Sequence, residues 1–135
     1  HTPDALHSAL LALRSHTSGK LYLVFGCGGE RDPGKRPLMG RVAAELADHV
    51  FVTDDNPRGE DPSSIRSAIL TKCKNSSEIG DREEAISCAI GQLDQDDTLL
   101  VAGKGHETSQ IVGCRTNKFD DIQVVRDILG IQDPR

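Results

Sequence analysis

Short apolar runs that end in glycine or aspartate alternate along this chain with longer segments of helical period, and that alternation is the strongest constraint on its fold. The runs LYLVF at 21–25, VFVT at 50–53 and TLLVA at 98–102 are apolar at nearly every position, which marks strands covered on both faces. Between them Leu38, Met39, Val42, Ala43 and Leu46 recur at three and four, as do Ile65, Ala68 and Ile69, and then Ile86, Ala89, Ile90 and Leu93. Parallel strands need crossovers of this length, so the pattern predicts an α/β, doubly wound, mostly parallel sheet. About six strands are expected, with an antiparallel edge from a hairpin over 110–119 that turns near 115–117.

Local punctuation sets the ends of the helices. Thr2 and Pro3 make a cap and first-turn proline for a helix over 3–16, with Leu6, Leu10 and Leu13 on one face. The second helix is expected over 37–46, and Asp61 with Pro62 opens a third that reaches about residue 73. A short strand is expected at 76–79, Asp81 and Glu84 stand as in a capping box, and Asp120 or Asp121 caps a last helix running to Gly130.

At 135 residues a single core can remove roughly two-thirds of the unfolded chain's surface from water, so one domain over 1–135 is expected without disulfide staples. The four cysteines, at 27, 73, 88 and 114, show neither a CxxC pair nor zinc spacing, and a reduced, cytoplasmic protein is the expectation. No apolar run approaches the roughly 20 residues that cross a bilayer, and no membrane partner is expected. A net charge of −5 with only Tyr22, Phe25, Phe51 and Phe119 as aromatics gives neither the basic field nor the stacking platforms of nucleic-acid binders, so no nucleic acid is expected either. The chain begins with His at a point that already reads as a helix start, which is expected of a domain cut from a longer polypeptide.

In a doubly wound sheet every loop that follows a strand lies at the carboxyl edge, beside helix N-termini, where ligands bind. Three such loops carry chemistry here. The first, residues 26–36, nearly matches the P-loop through Gly29, Gly34 and Lys35 but has Arg36 where a hydroxyl should hold magnesium, and Pro33 lacks an N–H for phosphate. It fails as a dinucleotide fingerprint as well, because Arg31 stands where the third glycine belongs. What remains is a glycine-hinged loop carrying the cations Arg31, Lys35 and Arg36.

The second loop, Asp54, Asp55, Asn56, Pro57 and Arg58, reads either as a turn whose Arg58 pairs with its acidic neighbours or as a trap for carboxylates. The third, GKGHE at 103–107, reads either as a glycine turn with solvated charges or as a ligand loop. Two arginines, an asparagine and a glutamate meeting at one edge would suit a zwitterion, so an amino acid is the natural ligand class. His7, His16, His49 and the four cysteines are assigned no chemistry. No residue of this chain is assigned a catalytic or metal-binding role.

The segments GCGGERDPGKRPLMG, TDDNPRGEDP and VAGKGHE, with HTPDAL before them, closely resemble the C-terminal domain of the Mur ligases, from His1 to about Gly130. The resemblance implies a Rossmann-like domain of an ATP-dependent, cytoplasmic ligase of peptidoglycan-precursor synthesis, and in that family DNPR is associated with choosing meso-diaminopimelate over lysine. It implies substrate contacts at Arg31, Asp55, Asn56, Pro57, Arg58, Gly103 and Glu107. It further implies that His1 and Asp4, in the linker, touch the nucleotide, with Asp32 and Lys35 near phosphate. The family forms an acyl phosphate on UDP-MurNAc-L-Ala-D-Glu from ATP, with Mg, and lets the incoming amine attack it. The UDP-binding and central ATPase domains that do most of this are absent from the chain, so the fragment alone is expected to be inactive. Glu30 stands where relatives commonly carry Asp. The rival readings are a free-standing nucleotide-binding α/β module and a structural domain whose loops are only turns.

Overall fold

The computed structural model describes residues 2–103, 109–112 and 115–130. The elements are α1 (Pro3–Arg14), β1 (Leu21–Phe25), α2 (Lys35–Leu46), β2 (His49–Val52), α3 (Pro62–Leu70), β3 (Ser76–Glu78), α4 (Arg82–Gln92), β4 (Thr98–Val101), β5 (Ser109–Val112), β6 (Arg115–Lys118) and α5 (Asp121–Leu129). The expected caps form: the side chains of Thr2, Asp61, Asp81 and Asp120 each accept from a backbone N–H of the turn they open, and Gly130 closes α5 in the left-handed region.

β1 to β4 form one parallel sheet in the order β3-β2-β1-β4. All five residues of β1 are buried, as the unbroken apolar run requires, and they alternate between two cores. Leu21, Leu23 and Phe25 pack with Val50 and Val52 of β2 against Leu6, Leu10, Met39, Ala43, Ile65 and Ile69 of α1, α2 and α3. Tyr22 and Val24 face the other way with Phe51, onto Ala85, Ile86 and Ala89 of α4 and the partly buried Val124, Val125 and Ile128 of α5. The chain is therefore doubly wound, with three helices on one face and two on the other.

The antiparallel edge is not found among the described residues. β5 and β6 pair only with each other, in a separate two-stranded ladder, so the described parallel sheet has four strands rather than about six. Residues 115–117 lie inside β6, paired with β5, and not in the turn expected there. The polar sequence of β6, Arg-Thr-Asn-Lys, lacks the apolar run of a strand buried on both faces. α1 ends at Arg14, before residue 16, and α2 begins at Lys35, two residues before Pro37.

The strand order decides where a ligand can sit. β2 and β3 follow β1 on one side, and the chain then crosses to place β4 on the other side of β1. The order reverses at the β1/β4 boundary, the position at which open α/β sheets leave a crevice at their carboxyl ends. The three chemically loaded loops leave β1, β2 and β4, which are contiguous strands.

Candidate functional site

A cleft of about 310 Å³ opens at this carboxyl edge, lined by Thr2, Gly26, Cys27, Gly28, Arg31, Asp32, Lys35, Arg36, Met39, Asp55, Asn56 and Arg58. Its size is at the lower end of small-molecule sites, suited to a ligand of amino-acid dimensions. The first and second loops thus meet in one pocket.

They are fastened together by backbone and arginine. The Gly29 N–H donates to the Asn56 carbonyl at 2.7 Å. A Cβ on Gly29 would overlap the Pro57 carbonyl, so only glycine permits this approach. Arg58 holds a left-handed backbone, φ 52°, and its Nη1 donates to the carbonyls of Gly29 at 2.9 Å and Asn56 at 3.3 Å. Among the described residues Arg58 makes no ion pair, so the reading in which it pairs with neighbouring carboxylates is not realised there. One corner of its guanidinium is anchored, while the side chain as a whole lines the cleft.

Arg36 turns out differently from a free loop cation. It is 5% exposed, and its Nη1 and Nη2 donate to the two Glu60 oxygens at 3.0 and 2.9 Å, with Nη2 also reaching the Gly28 carbonyl. Glu60 accepts in addition from the Glu30 N–H, and its carboxyl is held below the usual range chiefly by the Arg36 hydrogen bonds. This pair joins α2 to the second loop. Glu60 was not singled out from sequence, because nothing in the spacing of residues 36 and 60 signals contact.

Arg31 and Lys35 are exposed on the cleft. Lys35 lies in the first turn of α2, where the helix's partial positive charge disfavours a cation, and Arg36 beside it is already neutralised by Glu60. Neither Arg31 nor Lys35 has an ion-pair partner among the described residues, and an anionic group in the cleft would relieve both charges. Asp32, also on the cleft, accepts from the Gly34 N–H at 2.9 Å and so closes the start of α2.

Asp55 and Asn56 are 3% exposed and line the cleft from below. Pro57 is buried but faces a separate cavity shared with Asp54, Arg82, Gln110 and Phe119. Gly103, at φ +102°, lies against the backbone of Gly26 and the carboxylate of Asp55, which brings the start of the third loop to the other two. Asp4 is exposed on α1 and Thr2 rather than Asp4 lines the cleft. Glu107 and His1 lie outside the described residues.

Two side chains behind the cleft were not foreseen. Arg82, 1% exposed, makes a two-pronged ion pair with Asp121, both bonds at 2.7 Å. Arg66 on α3 pairs with Asp54 and Glu78, and burial pushes the Asp54 carboxyl up while Arg66 opposes the shift. No helix among the described residues is long and apolar enough to cross a membrane.

Cys27, on the wall of the cleft, has its thiol pushed up to about 11 by burial, against the pull of Arg36. Little of it is thiolate near pH 8, so its alkylation by iodoacetamide should run about 100-fold slower than that of an ordinary exposed thiol. Peptide mass spectrometry, with the exposed Cys88 as internal reference, checks this. Equal rates at the two cysteines would show that the first loop opens freely to solvent.

The described residues build neither a P-loop nor a magnesium site. Pro33 has no N–H to offer, Arg36 is turned to Glu60, and no three His, Cys, Asp or Glu side chains among them gather as metal ligands. What they do build is a cationic cleft between glycine-hinged loops at the switch point of a parallel sheet, and comparison with known proteins places that arrangement. The chain belongs to the Mur ligase family, whose glutamate ligase domain matches residues 1–105. It is 58% identical over 130 residues to the UDP-N-acetylmuramoyl-L-alanyl-D-glutamate--2,6-diaminopimelate ligase of Bradyrhizobium diazoefficiens, covering 96% of this chain and 27% of the relative. The ligase of the same name from Caulobacter vibrioides is 58% identical over 122 residues, 90% of this chain and 25% of its own length. A solved structure of a ligase of this name superposes with a TM-score of 0.92 at 43% identity, over 96% of this chain and 28% of that one. A bifunctional folylpolyglutamate synthase/dihydrofolate synthase from Yersinia pestis shares the fold at a TM-score of 0.61 and 21% identity, over 76% of this chain and 24% of that one. The chain spans about a quarter of the length of the curated relatives it matches.

Proposed function

We propose that this chain is the amino-acid-binding domain of an ATP-dependent ligase that adds meso-diaminopimelate to UDP-MurNAc-L-Ala-D-Glu in the cytoplasm. The observation that carries the reading is the convergence of Arg31, Asn56 and Arg58, from two separate loops, on one cleft. The names of its relatives supply the substrate class.

In this reading the fork of Arg58 holds the distal carboxylate of the amino acid, with Arg31 on a second carboxylate and Asp55, Asn56, Gly103 and Glu107 addressing its remaining polar groups. The domain presents the free amine to the acyl phosphate of the UDP-sugar dipeptide. The amine attacks the acyl carbon, the C–N bond forms and phosphate leaves. ATP and magnesium act at the rest of the complete polypeptide, and His1, just before Thr2 on the rim, would meet the nucleotide on closure together with Asp4 in the first turn of α1. Asp32 and Lys35 would then stand beside its phosphates. Closure excludes water from the acyl phosphate, so the isolated domain should not turn over.

The test is ADP release by the complete ligase carrying this domain. Release is expected only when ATP, UDP-MurNAc-L-Ala-D-Glu and meso-diaminopimelate are all present, with the tripeptide product formed in equal amount. Product formation that ignores meso-diaminopimelate would overturn the assignment, and tight magnesium-dependent ATP binding by the 135-residue chain alone would favour a nucleotide module instead.

A further inference from the structure

Arg82 opens α4, far along the chain from the loops of the cleft, yet its guanidinium is tied to two of them. Nη1 donates to the carbonyl of Asp54 and Nη2 to that of Ala102, each at 3.1 Å. Those carbonyls belong to the residues immediately before Asp55 and before Gly103, where the second and third loops leave the sheet. Nε and Nη2 meanwhile bond both oxygens of Asp121, at the start of α5. Four of the five guanidinium N–H donors are thus accounted for inside the protein, and the side chain is 1% exposed. Arg82 has no fork left to offer a ligand, so any influence on the site runs through backbone.

Only arginine has the shape for this. Its planar fork presents donors in several fixed directions, toward one carboxylate on one side and two carbonyls on the other. A lysine keeps the charge and the attraction to Asp121, but its single nitrogen cannot span carbonyls on two loops. The substitution Arg82→Lys therefore separates charge from geometry.

We infer that Arg82 is a positioning residue that sets the spacing between the second and third loops and, through them, the amino-acid site. This rests on the function proposed above, in which both loops touch the amino acid. Reacting groups displaced by about 1 Å lose on the order of 100-fold in rate, so a loosened fork should be felt at the amino acid and not at the other substrates.

In the complete ligase, Arg82→Lys is expected to raise the KM for meso-diaminopimelate about 10- to 100-fold and leave those for ATP and the UDP-sugar dipeptide unchanged. Unchanged KM values for all three in a folded variant would overturn the inference, as would a uniform rise. Should Arg82→Lys not fold, Asp121→Asn loosens the same anchor with Arg82 in place, and the same selective rise is expected on the same terms. Hydrogen exchange gives a readout independent of the reaction. The amides of Asp54 and Ala102, bonded to the carbonyls of Gly80 and Val24, should exchange faster in Arg82→Lys, while that of Val50, bonded to Asn75 at the opposite end of the sheet, should not. Uniform acceleration would mark Arg82 as a general stabiliser and sink the claim. If wild-type ligase ignores meso-diaminopimelate while exchange changes at the two loops alone, the functional reading fails and the positioning role stands.

Discussion

Offered lysine in place of meso-diaminopimelate, the complete ligase carrying this domain is expected to lose about 10⁴-fold in kcat/KM. The two amino acids differ by one carboxylate. A pocket built to hydrogen-bond that group leaves its own donors unpaired when the group is missing, and this is how large discrimination arises. In the function proposed here the Nε and Nη2 of Arg58, which bond nothing among the described residues, are left for the ligand, since Nη1 is engaged with the loop carbonyls. Arg58→Ala should cost about 2 to 5 kcal/mol on meso-diaminopimelate, roughly 30- to several-thousand-fold, and hardly change the poor use of lysine. Arg58→Lys should recover little, because a point charge does not replace a fork. Steady-state ligation with each amino acid decides the matter. Equal kcat/KM for the two in the wild-type enzyme would defeat the specificity assigned to Arg58.

Asp121→Ala is expected to cost about 3 to 5 kcal/mol of folding stability, a large effect for a residue at the first position of a helix. The reason lies in what it leaves behind. Arg82 would keep its charge in a nearly sealed site, 1% exposed, with only the Asp54 and Ala102 carbonyls for company. Replacing both partners with apolar groups of similar volume, as in an Arg82→Met, Asp121→Leu double variant, should be far milder. Urea unfolding of the single and double variants measures both terms. A loss below about 1 kcal/mol in Asp121→Ala would mean that the pair behaves like a surface ion pair.

The elements that the apolar pattern dictates are legible in the sequence itself. β1 fell at residues 21–25 as expected, because five consecutive apolar residues closed by Gly26 leave few alternatives to a buried strand. The caps at Thr2, Asp61 and Asp81 are local chemistry, written within four residues. The meeting of Arg31 with Asn56 and Arg58 followed from topology, since loops after neighbouring parallel strands share an edge. The hairpin's relation to the sheet did not follow, because strand pairing depends on contacts distant in sequence that no local pattern encodes. The ion pairs Arg36–Glu60 and Arg82–Asp121 were invisible for the same reason, at separations of 24 and 39 residues. Read singly, each of these charges resembles an ordinary solvated residue. Pro57 shows the converse: it belongs to the motif by sequence, yet it lines a separate cavity and not the cleft that Asp55, Asn56 and Arg58 line.

The anchored corner of Arg58 has a thermodynamic consequence. A long side chain free in solvent surrenders about 0.5 to 1.5 kcal/mol of rotamer freedom when a ligand immobilises it. In this domain much of that loss falls at folding, when Nη1 is captured by the Gly29 carbonyl and the left-handed backbone at Arg58 is fixed. On the proposed function, an incoming amino acid would meet a guanidinium already aimed, and its association should show a correspondingly small entropic penalty.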